Sequence, residues 1–218
     1  MIKILQWLFR SDIAPYIAFK WGTLAYFHYN LDRYSTDIDL DLLDHRYEKE
    51  VMETIVALLS KVWEIKLYTL WKDLHRWIFR YDLQSTNIKV ELNKRETSYN
   101  KYEIVPIHWV DMQCMDTKTM VTNKLLALRD RRYNRDVYDT WFFRIQHYEY
   151  DEQIIKARTG KSLIDIIKEI IELLPEQYSE NTILGGMWDV LTDAQKPRVK
   201  SSLVTETIKL LQQYLSTH

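Results

Sequence analysis

Three aspartates, Asp37, Asp39 and Asp41, occupy alternate positions of the segment DIDLDL, with an apolar residue between each pair. Alternate residues of a strand point to the same face, so the pattern predicts a strand over 37–43 with its carboxylates on one side. Hard cations such as Mg²⁺ are bound by one or two carboxylates together with substrate phosphates. Asp37 and Asp39 are therefore candidate metal ligands, for Mg²⁺ or Mn²⁺. A strand face exposed to water, or an edge strand charged against aggregation, gives the same pattern.

A further carboxylate is found in the segment NIKVELN, residues 87–93. Apolar residues alternate there with Lys89, Glu91 and Asn93, so Glu91 belongs to the polar face of a predicted strand. If this strand pairs with the acidic one, Glu91 completes the metal site. An exposed glutamate on a half-buried strand is equally consistent with the pattern.

The chain just before the acidic strand has features of a phosphate site. A predicted strand over 16–20 is followed at once by Gly22, Thr23 and a helix. A helix N-terminus offers backbone N–H groups to anions, and glycine lets the backbone approach them closely. Thr23 adds a hydroxyl donor or caps the helix. Lys20 and Arg33 supply mobile positive charge nearby, or are ordinary surface residues.

A second group of charged residues lies in the segment NKLLALRDRRYNRDVYD, residues 123–139. We interpret Asn134 as the N-cap of a helix that has Asp136 in its first turn and Asp139 on the same face. Lys124 is a candidate ligand of a triphosphate. An arginine cluster is a candidate contact of an RNA backbone: Arg129, Arg131, Arg132 and Arg135. A charged helical hairpin whose arginines and aspartates pair with each other at the surface is the alternative.

The elements that would position these residues divide the chain in two. Periodicity predicts helices over 1–10, 24–31 and 47–62, and strands over 16–20, 37–43, 63–70, 77–83 and 87–93, with a bend at Gln84–Thr86. From residue 116 onward the pattern is helical: 120–129, 135–147, 151–159, 161–174 with a stop at Pro175, 188–191 and 202–215. We expect an α/β (α+β) fold with a mixed-sheet lobe over 1–110 and an all-helical lobe over 111–218.

Composition narrows the class of protein. The net charge of −1 offers no overall attraction to nucleic acid, so such binding would need a local basic patch. The single Cys114 fits a reducing compartment. No apolar run approaches the ~18 residues of a membrane span, and the N-terminus lacks a signal-peptide pattern. These features predict a cytoplasmic protein that does not span a membrane.

Two segments together resemble a known family. AFKWGTLAYFHYNLDRYSTDIDLDL is similar to the first motif of the AbiEii/AbiGii-type nucleotidyltransferases, and KLLALRDRRYNRDVYDTWFF is similar to their later Lys, Arg and Asp segment. The resemblance is close over residues 16–43 and 119–143, weaker at Glu91, and limited to helical character over 150–218. The family includes the toxins of bacterial type IV toxin–antitoxin systems and of phage-abortive systems, among them the MenT-type enzymes.

The resemblance implies an NTP and Mg²⁺ bound in a cleft between a nucleotidyltransferase-fold lobe and a helical lobe. It implies transfer of a nucleotide to an acceptor hydroxyl, in some members at the 3′ end of tRNA, and a cognate antitoxin as partner. Asp37 and Asp39 would bind the metal, and Asp136 would have a catalytic or Lys124-orienting role. The nucleotide-binding residues would be Lys20, Gly22, Thr23, Arg33, Ser35 and Lys124.

One position departs from the family pattern, and it keeps other functions open. Trp21 stands where the family usually has the first of two glycines, and its indole narrows the approach to phosphates or stacks on a base. A degenerate fold that only binds nucleotide or RNA, a transferase with a protein hydroxyl as acceptor, and a non-catalytic helical interaction protein are the alternatives.

Overall fold

The computed structural model describes residues 1–80, 87–95 and 98–218. Contacts between Cα atoms divide the chain into two compact units, Met1–Asp116 and Thr117–His218. This division falls after the position expected from sequence because residues 110–115 form a strand of the sheet. The limits 1–110 and 111–218 of two functional lobes stay a prediction.

The first unit is a mixed α/β structure. Its elements are α1 (Ile2–Phe9), β1 (Ile17–Lys20), α2 (Trp21–His28), β2 (Asp37–Leu42), α3 (Glu48–Leu59), β3 (Glu64–Trp71), β4 (Leu74–Arg80), β5 (Asn87–Asn93), β6 (Tyr102–Ile107) and β7 (Val110–Met115). They form one seven-stranded sheet in the order β3-β4-β5-β2-β1-β7-β6. The pairs β2–β5 and β1–β7 are parallel and the other neighbours are antiparallel, so the predicted mixed sheet is confirmed.

The sheet has an apolar side and a polar side, as its alternating sequences require. Ile38, Leu40 and Val90 on β2 and β5, and Trp77 and Phe79 on β4, have no more than 1% of their surface exposed. Helices α1 and α3 likewise bury their apolar stripes. The alternate residues of β2 and β5 are the polar ones, and the candidate carboxylates are among them. Strand β4 adds Arg76 and Arg80 to this face.

The second unit is helical, with α4 (Thr117–Arg131), α5 (Asn134–Ile145), α6 (Glu152–Thr159), α7 (Leu163–Gln177) and α8 (Gln195–Thr217). Helix α4 is buried along most of its length, from Thr119 to Leu128, as expected of the central helix of a bundle. Side-chain caps fix two helix starts. Asp151 accepts hydrogen bonds at the start of α6, and Ser162 forms a capping box with Asp165 at the start of α7.

Parts of the predicted secondary structure differ from the structure. The hairpin β6–β7 was not predicted, and its Pro106 is tolerated because β6 is an edge strand. Helix α7 does not stop at Pro175 but ends two residues later at Gln177. Residues 188–191 lie in a series of turns rather than a helix. Residues 81–83 of the strand predicted over 77–83, and the bend at Gln84–Thr86, lie outside the described residues.

None of the helices in the described part of the chain is long and apolar enough to cross a membrane.

Candidate functional site

The predicted carboxylates meet on the polar side of the sheet. Strands β2 and β5 run parallel in a register that pairs Asp37 with Lys89 and Asp39 with Glu91. Residues opposite each other in neighbouring strands share a face of the sheet. The structure therefore brings Glu91 beside Asp37 and Asp39, as the metal-site hypothesis requires.

Two cations lie among these carboxylates. Lys89 Nζ is 2.7 Å from Asp37 Oδ2 and 3.5 Å from Glu91 Oε1, and Arg76 Nε donates to Glu91 Oε1 at 2.5 Å. Burial alone would raise the pKa of Glu91, but Lys89 and Arg76 outweigh it and the pKa lies below its usual value. The pKa of Lys89 is raised, because the nearby acids outweigh the effect of burial.

Asp39 has a different environment from its neighbours. Burial, followed by the charges of Glu91 and Asp37, raises the pKa of Asp39 to about 6. Crowded carboxylates repel one another unless a cation lies between them. The free energy cost of ionising Asp39 would therefore fall if a cation were bound next to it.

The carboxylates around Asp39 suit a hard cation such as Mg²⁺, which takes one or two of them alongside substrate phosphates. No group of three His, Cys, Asp or Glu side chains among the described residues is arranged to hold a metal ion. Asp37 is engaged by Lys89, and Glu91 by Arg76 and Lys89. The roles of Asp37, Asp39 and Glu91 as metal ligands therefore stay predictions.

The third aspartate of β2 has a structural role. Asp41 is 2% exposed and accepts hydrogen bonds from Lys20 Nζ at 2.5 Å, Asn93 Nδ2 at 2.7 Å and Tyr102 OH at 3.1 Å. A buried carboxylate with these partners is stable without a metal. Lys20 was expected to be mobile, and this expectation is wrong, because the ammonium is buried in its ion pair with Asp41.

The candidate phosphate-binding residues lie next to Asp39. Lys20 pairs with Asp39 across β1 and β2, and α2 begins at the following residue, Trp21, rather than at residue 24 as predicted. A Cβ atom at Gly22 would lie 2.9 Å from Ser35 Oγ, so any larger residue would displace the Ser35 side chain. The start of α2 thus presents backbone N–H groups beside the acidic strand.

Thr23 and Arg33 position this junction. The Thr23 hydroxyl is buried, donates to the carbonyl of Asp37 and can accept from the Ser35 hydroxyl at 2.9 Å, which ties α2 to the start of β2. Arg33 was expected at the surface or as a mobile charge, but it is 3% exposed and Nη1 donates to the carbonyl of Tyr34. Direct contact of either side chain with a nucleotide stays a prediction.

Trp21 adopts a backbone conformation that suits glycine. Its φ of +65° lies in the left-handed region, where a Cβ atom costs roughly 1–2 kcal/mol. The family pattern has glycine at this position, and the structure supplies the physical reason. The indole lies 5.6 Å from Lys20 Nζ, above the ammonium that binds Asp41.

In the helical unit, Lys124 lies between two aspartates of α5. Its Nζ is 2.6 Å from Asp139 Oδ2 and 3.5 Å from Asp136 Oδ1, and all three side chains are at least 93% buried. Asp136 Oδ2 is buried and has no hydrogen-bond partner in the described part of the chain. Such an oxygen commonly serves a ligand or an ordered water.

The arginine cluster lies at the turn between α4 and α5 and is largely exposed. Arg129 pairs with Asp130 at 2.7 Å and Arg131 with Asp136 at 3.3 Å, so part of the cluster forms the local ion pairs of the alternative interpretation. Asn134 is not the N-cap; Tyr133 holds that position, and Asn134 donates instead to the carbonyls of Thr182 and Gly185. A cavity of about 270 Å³ lies beside the turn, lined by Arg132, Tyr133, Asn134, Arg135, Gly185 and Gly186.

Sequence reasoning missed two residues of these clusters. Arg76 was not singled out because its link to Glu91 depends on the β4–β5 register. Asp139 was placed on the same face as Asp136 but not assigned to the site, although it is the nearer partner of Lys124. Its helical spacing from Asp136 was the signal that could have identified it.

Comparison with solved structures supports the fold class. The crystal structure of JHP933 from Helicobacter pylori matches with a TM-score of 0.62 at 16% identity, over 99% of this chain and 90% of that chain. A second H. pylori structure, described as a proposed nucleotidyltransferase, matches with a TM-score of 0.63 at 16% identity, over 99% and 93% of the two chains. At this identity the likeness establishes the fold alone. A search of curated proteins found no match.

The family model described as "Nucleotidyl transferase AbiEii toxin, Type IV TA system" matches residues 3–183. The chain belongs to this family and is a nucleotidyltransferase. The resemblance seen in the two sequence motifs is confirmed.

Proposed function

We propose that this protein transfers a nucleoside monophosphate from an NTP to an acceptor hydroxyl of RNA, at the 3′ end of tRNA, in a reaction that depends on Mg²⁺ or Mn²⁺. It acts as the toxin of a toxin–antitoxin or phage-abortive system, with a cognate antitoxin as partner, and its acceptor places this activity in the cytoplasm. Family membership supports the reaction class. The nucleotide, the metal and the acceptor are proposals.

The observation that carries the proposal is the acidic face of β2 and β5. Asp37 and Asp39 lie on one side of the sheet with Glu91 directly opposite Asp39. A divalent cation bound there would offset charge on the α-phosphate and favour ionisation of the attacking hydroxyl. Asp37 and Asp39 would hold it, while Arg76 and Lys89 fix Glu91 beside them.

Two further groups would bind the polyphosphate. The backbone N–H groups at the start of α2, at Gly22 and Thr23, are suited to phosphate oxygens. Lys124 would stabilise the departing pyrophosphate, and Asp136 and Asp139 hold its ammonium in one place. Fixed cations and dipoles of this kind stabilise developing charge without reorganising during the reaction.

An RNA acceptor is supported by local charge, since the net charge of −1 gives no general attraction. Arg131, Arg132 and Arg135 are exposed at the α4–α5 turn. Release of counter-ions from phosphates would drive binding to such a cluster.

The test is transfer of label from each of the four NTPs to total tRNA with Mg²⁺. We expect Asp39→Asn to lower the transfer rate at least ~100-fold, because it removes a carboxylate that would hold the metal ion. Each ~1.4 kcal/mol of lost transition-state stabilisation lowers the rate tenfold. The matched control is Asp111→Asn, an exposed aspartate of β7 in the same sheet, which should transfer like wild type.

Three outcomes would contradict the proposal. Absence of transfer by wild type with every NTP, in the presence of RNA and of cell lysate, favours a fold that only binds nucleotide. Equal rates for Asp39→Asn and wild type exclude the acidic pair from the reaction. Label on protein rather than RNA assigns a protein hydroxyl as acceptor.

A further inference from the structure

The polar side of the sheet has a second feature, at its β3 edge. A cavity of about 440 Å³ lies at the β3–β4 turn and is called the Trp71 pocket below. Its lining residues are Trp71, Lys72, Asp73, Leu74, Arg76 and Arg95. None of them belongs to the candidate site residues that sequence and family resemblance indicate.

Strand register places the Trp71 pocket on the same face as the acidic pair. Across the sheet, Asp39 pairs with Glu91, Glu91 with Arg76, and Arg76 with Thr69 of β3. Trp71 follows Thr69 by two residues in β3, so it lies on the same face. The pocket and the acids are thus parts of one continuous surface within the first unit.

Trp71 and Arg76 form a stacked pair that touches the acidic cluster. The guanidinium carbon of Arg76 lies 4.5 Å from the centre of the Trp71 ring, while Nε of Arg76 donates to Glu91. Trp71 remains 45% exposed. A ring fixed from one side by a cation and exposed on the other is a platform on which a base can stack.

The charges around this ring suit a phosphate backbone. Lys72 and Arg95 are exposed, and with Arg76 they give the pocket three cations against the single carboxylate of Asp73. Arg95 Nε lies 3.9 Å from Asp73 Oδ2, and an exposed pair of this kind contributes little to stability. Arg95 can therefore turn to a phosphate at little cost. Aromatic stacking combined with cations is how single-stranded nucleic acid is bound without sequence preference.

The proposed site of the donor nucleotide and the Trp71 pocket lie on opposite sides of the acidic pair, Asp37 and Asp39. In the sheet order, β1 and the start of α2 lie on one side of β2 and β5, and β4 and β3 lie on the other. The phosphate-binding junction is at β1–α2, whereas the Trp71 pocket is at β3–β4. In phosphoryl transfer the attacking and leaving oxygens stand roughly in line on opposite sides of phosphorus. This arrangement favours the acceptor over the donor as the occupant of the pocket.

We propose that the Trp71 pocket binds an unpaired nucleotide of the acceptor RNA, with its base stacked on Trp71 and an adjacent phosphate on Arg95. This inference rests on the proposed function, since it assumes an RNA acceptor at the acidic pair. It adds a binding site for the terminal single strand that would deliver the hydroxyl.

The direct test is binding of a labelled, unstructured oligoribonucleotide, measured by fluorescence anisotropy without NTP or metal. We expect Trp71→Ala to weaken binding at least ~5-fold, because stacking on an aromatic side chain is worth ~1–3 kcal/mol per base. Trp71→Phe should keep most of the affinity. The matched control is Trp109→Ala, a 96% exposed tryptophan at the β6–β7 turn on the other edge of the sheet, which should bind like wild type.

Arg95→Ala tests the phosphate contact separately. It should weaken binding and reduce the slope of log affinity against log salt by about 0.7, the value for one phosphate of a single strand. In transfer assays, Trp71→Ala should raise KM for the RNA and leave KM for the NTP unchanged.

The outcomes separate this inference from the proposed function. If Asp39→Asn abolishes transfer but Trp71→Ala binds RNA like wild type, the pocket assignment fails and the proposed function stands. If Trp71→Ala raises KM for the NTP instead, the pocket holds the donor. If it leaves RNA binding intact but changes self-association or capture of a protein partner, the exposed edge strand β3 is a protein-docking site. Wild type that does not bind the oligoribonucleotide overturns the pocket assignment, whereas the RNA acceptor is decided separately by label transfer to tRNA.

Discussion

The two charged clusters of this protein use the same residue types, acids and a lysine, but they differ in how far the acids are paired. On the sheet, carboxylates outnumber their cations around Asp39, and burial together with two acidic neighbours raises its pKa to about 6. In the helical unit, the single ammonium of Lys124 is shared by Asp139 and Asp136 and is almost fully buried. Binding of a cation should stabilise the first cluster, whereas removal of the Lys124 ammonium should destabilise the second.

The difference separates two uses of charge in one enzyme. The crowded carboxylates of the sheet cluster lower stability, and a metal ion at the proposed site would relieve this crowding. In the Lys124 cluster, the buried charge already has its partners within the protein. Substitutions that remove one charge should therefore change folding stability in opposite directions in the two units, whatever they do to activity. Three predictions follow this contrast from the largest effect to the smallest.

Lys124→Met should lower the free energy of unfolding by ~3–5 kcal/mol, because it leaves the fully buried carboxylate of Asp139 without its cation. The measurement is urea denaturation followed by circular dichroism. Adding Asp139→Asn to this variant should restore part of the loss, since the uncompensated charge is then gone. The matched control is Lys118→Met, an exposed lysine of the same helix, with an expected change within ~0.5 kcal/mol. Equal losses for the two lysines would show that the Lys124 cluster does not hold α4 and α5 together.

Asp39→Asn should raise stability at pH 7–8 in a metal-free buffer, by ~1–2 kcal/mol after allowing for partial exposure. The native pKa is about 6 and the unfolded value is ~4, so wild type loses stability as pH rises from ~4 through 6. The amide does not ionise, so the difference in stability between Asp39→Asn and wild type should disappear towards pH 4. Mg²⁺ should narrow the gap at pH 7.5 by binding wild type.

The control for this prediction is Asp111→Asn, whose stability should follow wild type at every pH. A wild type as stable as Asp39→Asn at pH 8 without metal would mean that the carboxylates of β2 and β5 are not crowded. The same variant is expected to lose activity, so gain of stability and loss of transfer would occur in one protein.

Much of the acidic site was predictable from sequence because strands report their faces directly. The period-two pattern assigned Asp37, Asp39 and Glu91 to polar strand faces, and the parallel pairing of β2 with β5 confirmed that they share one. Whether β2 pairs with β5 could not be predicted, because the sequences of strands that are distant along the chain do not reveal how they pair.

What sequence could not show was which charges satisfy one another. Asp41 looked equivalent to Asp37 and Asp39, but it is buried with Lys20, Asn93 and Tyr102. Tyr102 lies on β6, a strand that was not predicted. Lys20 appeared mobile for the same reason, because its partner could not be distinguished from the other aspartates of the strand.

Trp21 is the position where sequence comparison and structure explain each other, and it gives the smallest predicted effect. The family pattern has glycine there, and the backbone of Trp21 is left-handed with φ +65°. Trp21→Gly and Trp21→Ala remove the same indole, but only alanine keeps a Cβ atom in this conformation. Because that Cβ costs ~1–2 kcal/mol, and glycine loses ~0.4–1 kcal/mol more entropy on folding, the glycine variant should be more stable by up to ~1.6 kcal/mol.

The same pair of variants also tests what the indole does at the phosphate junction. If it narrows the approach to the backbone N–H groups of α2, both variants should lower KM for the NTP by a similar factor, measured in the labelled-transfer assay. If the ring stacks on the nucleotide base, both should raise it. An alanine variant more stable than the glycine variant would contradict the left-handed assignment, since alanine is favoured over glycine wherever φ is negative.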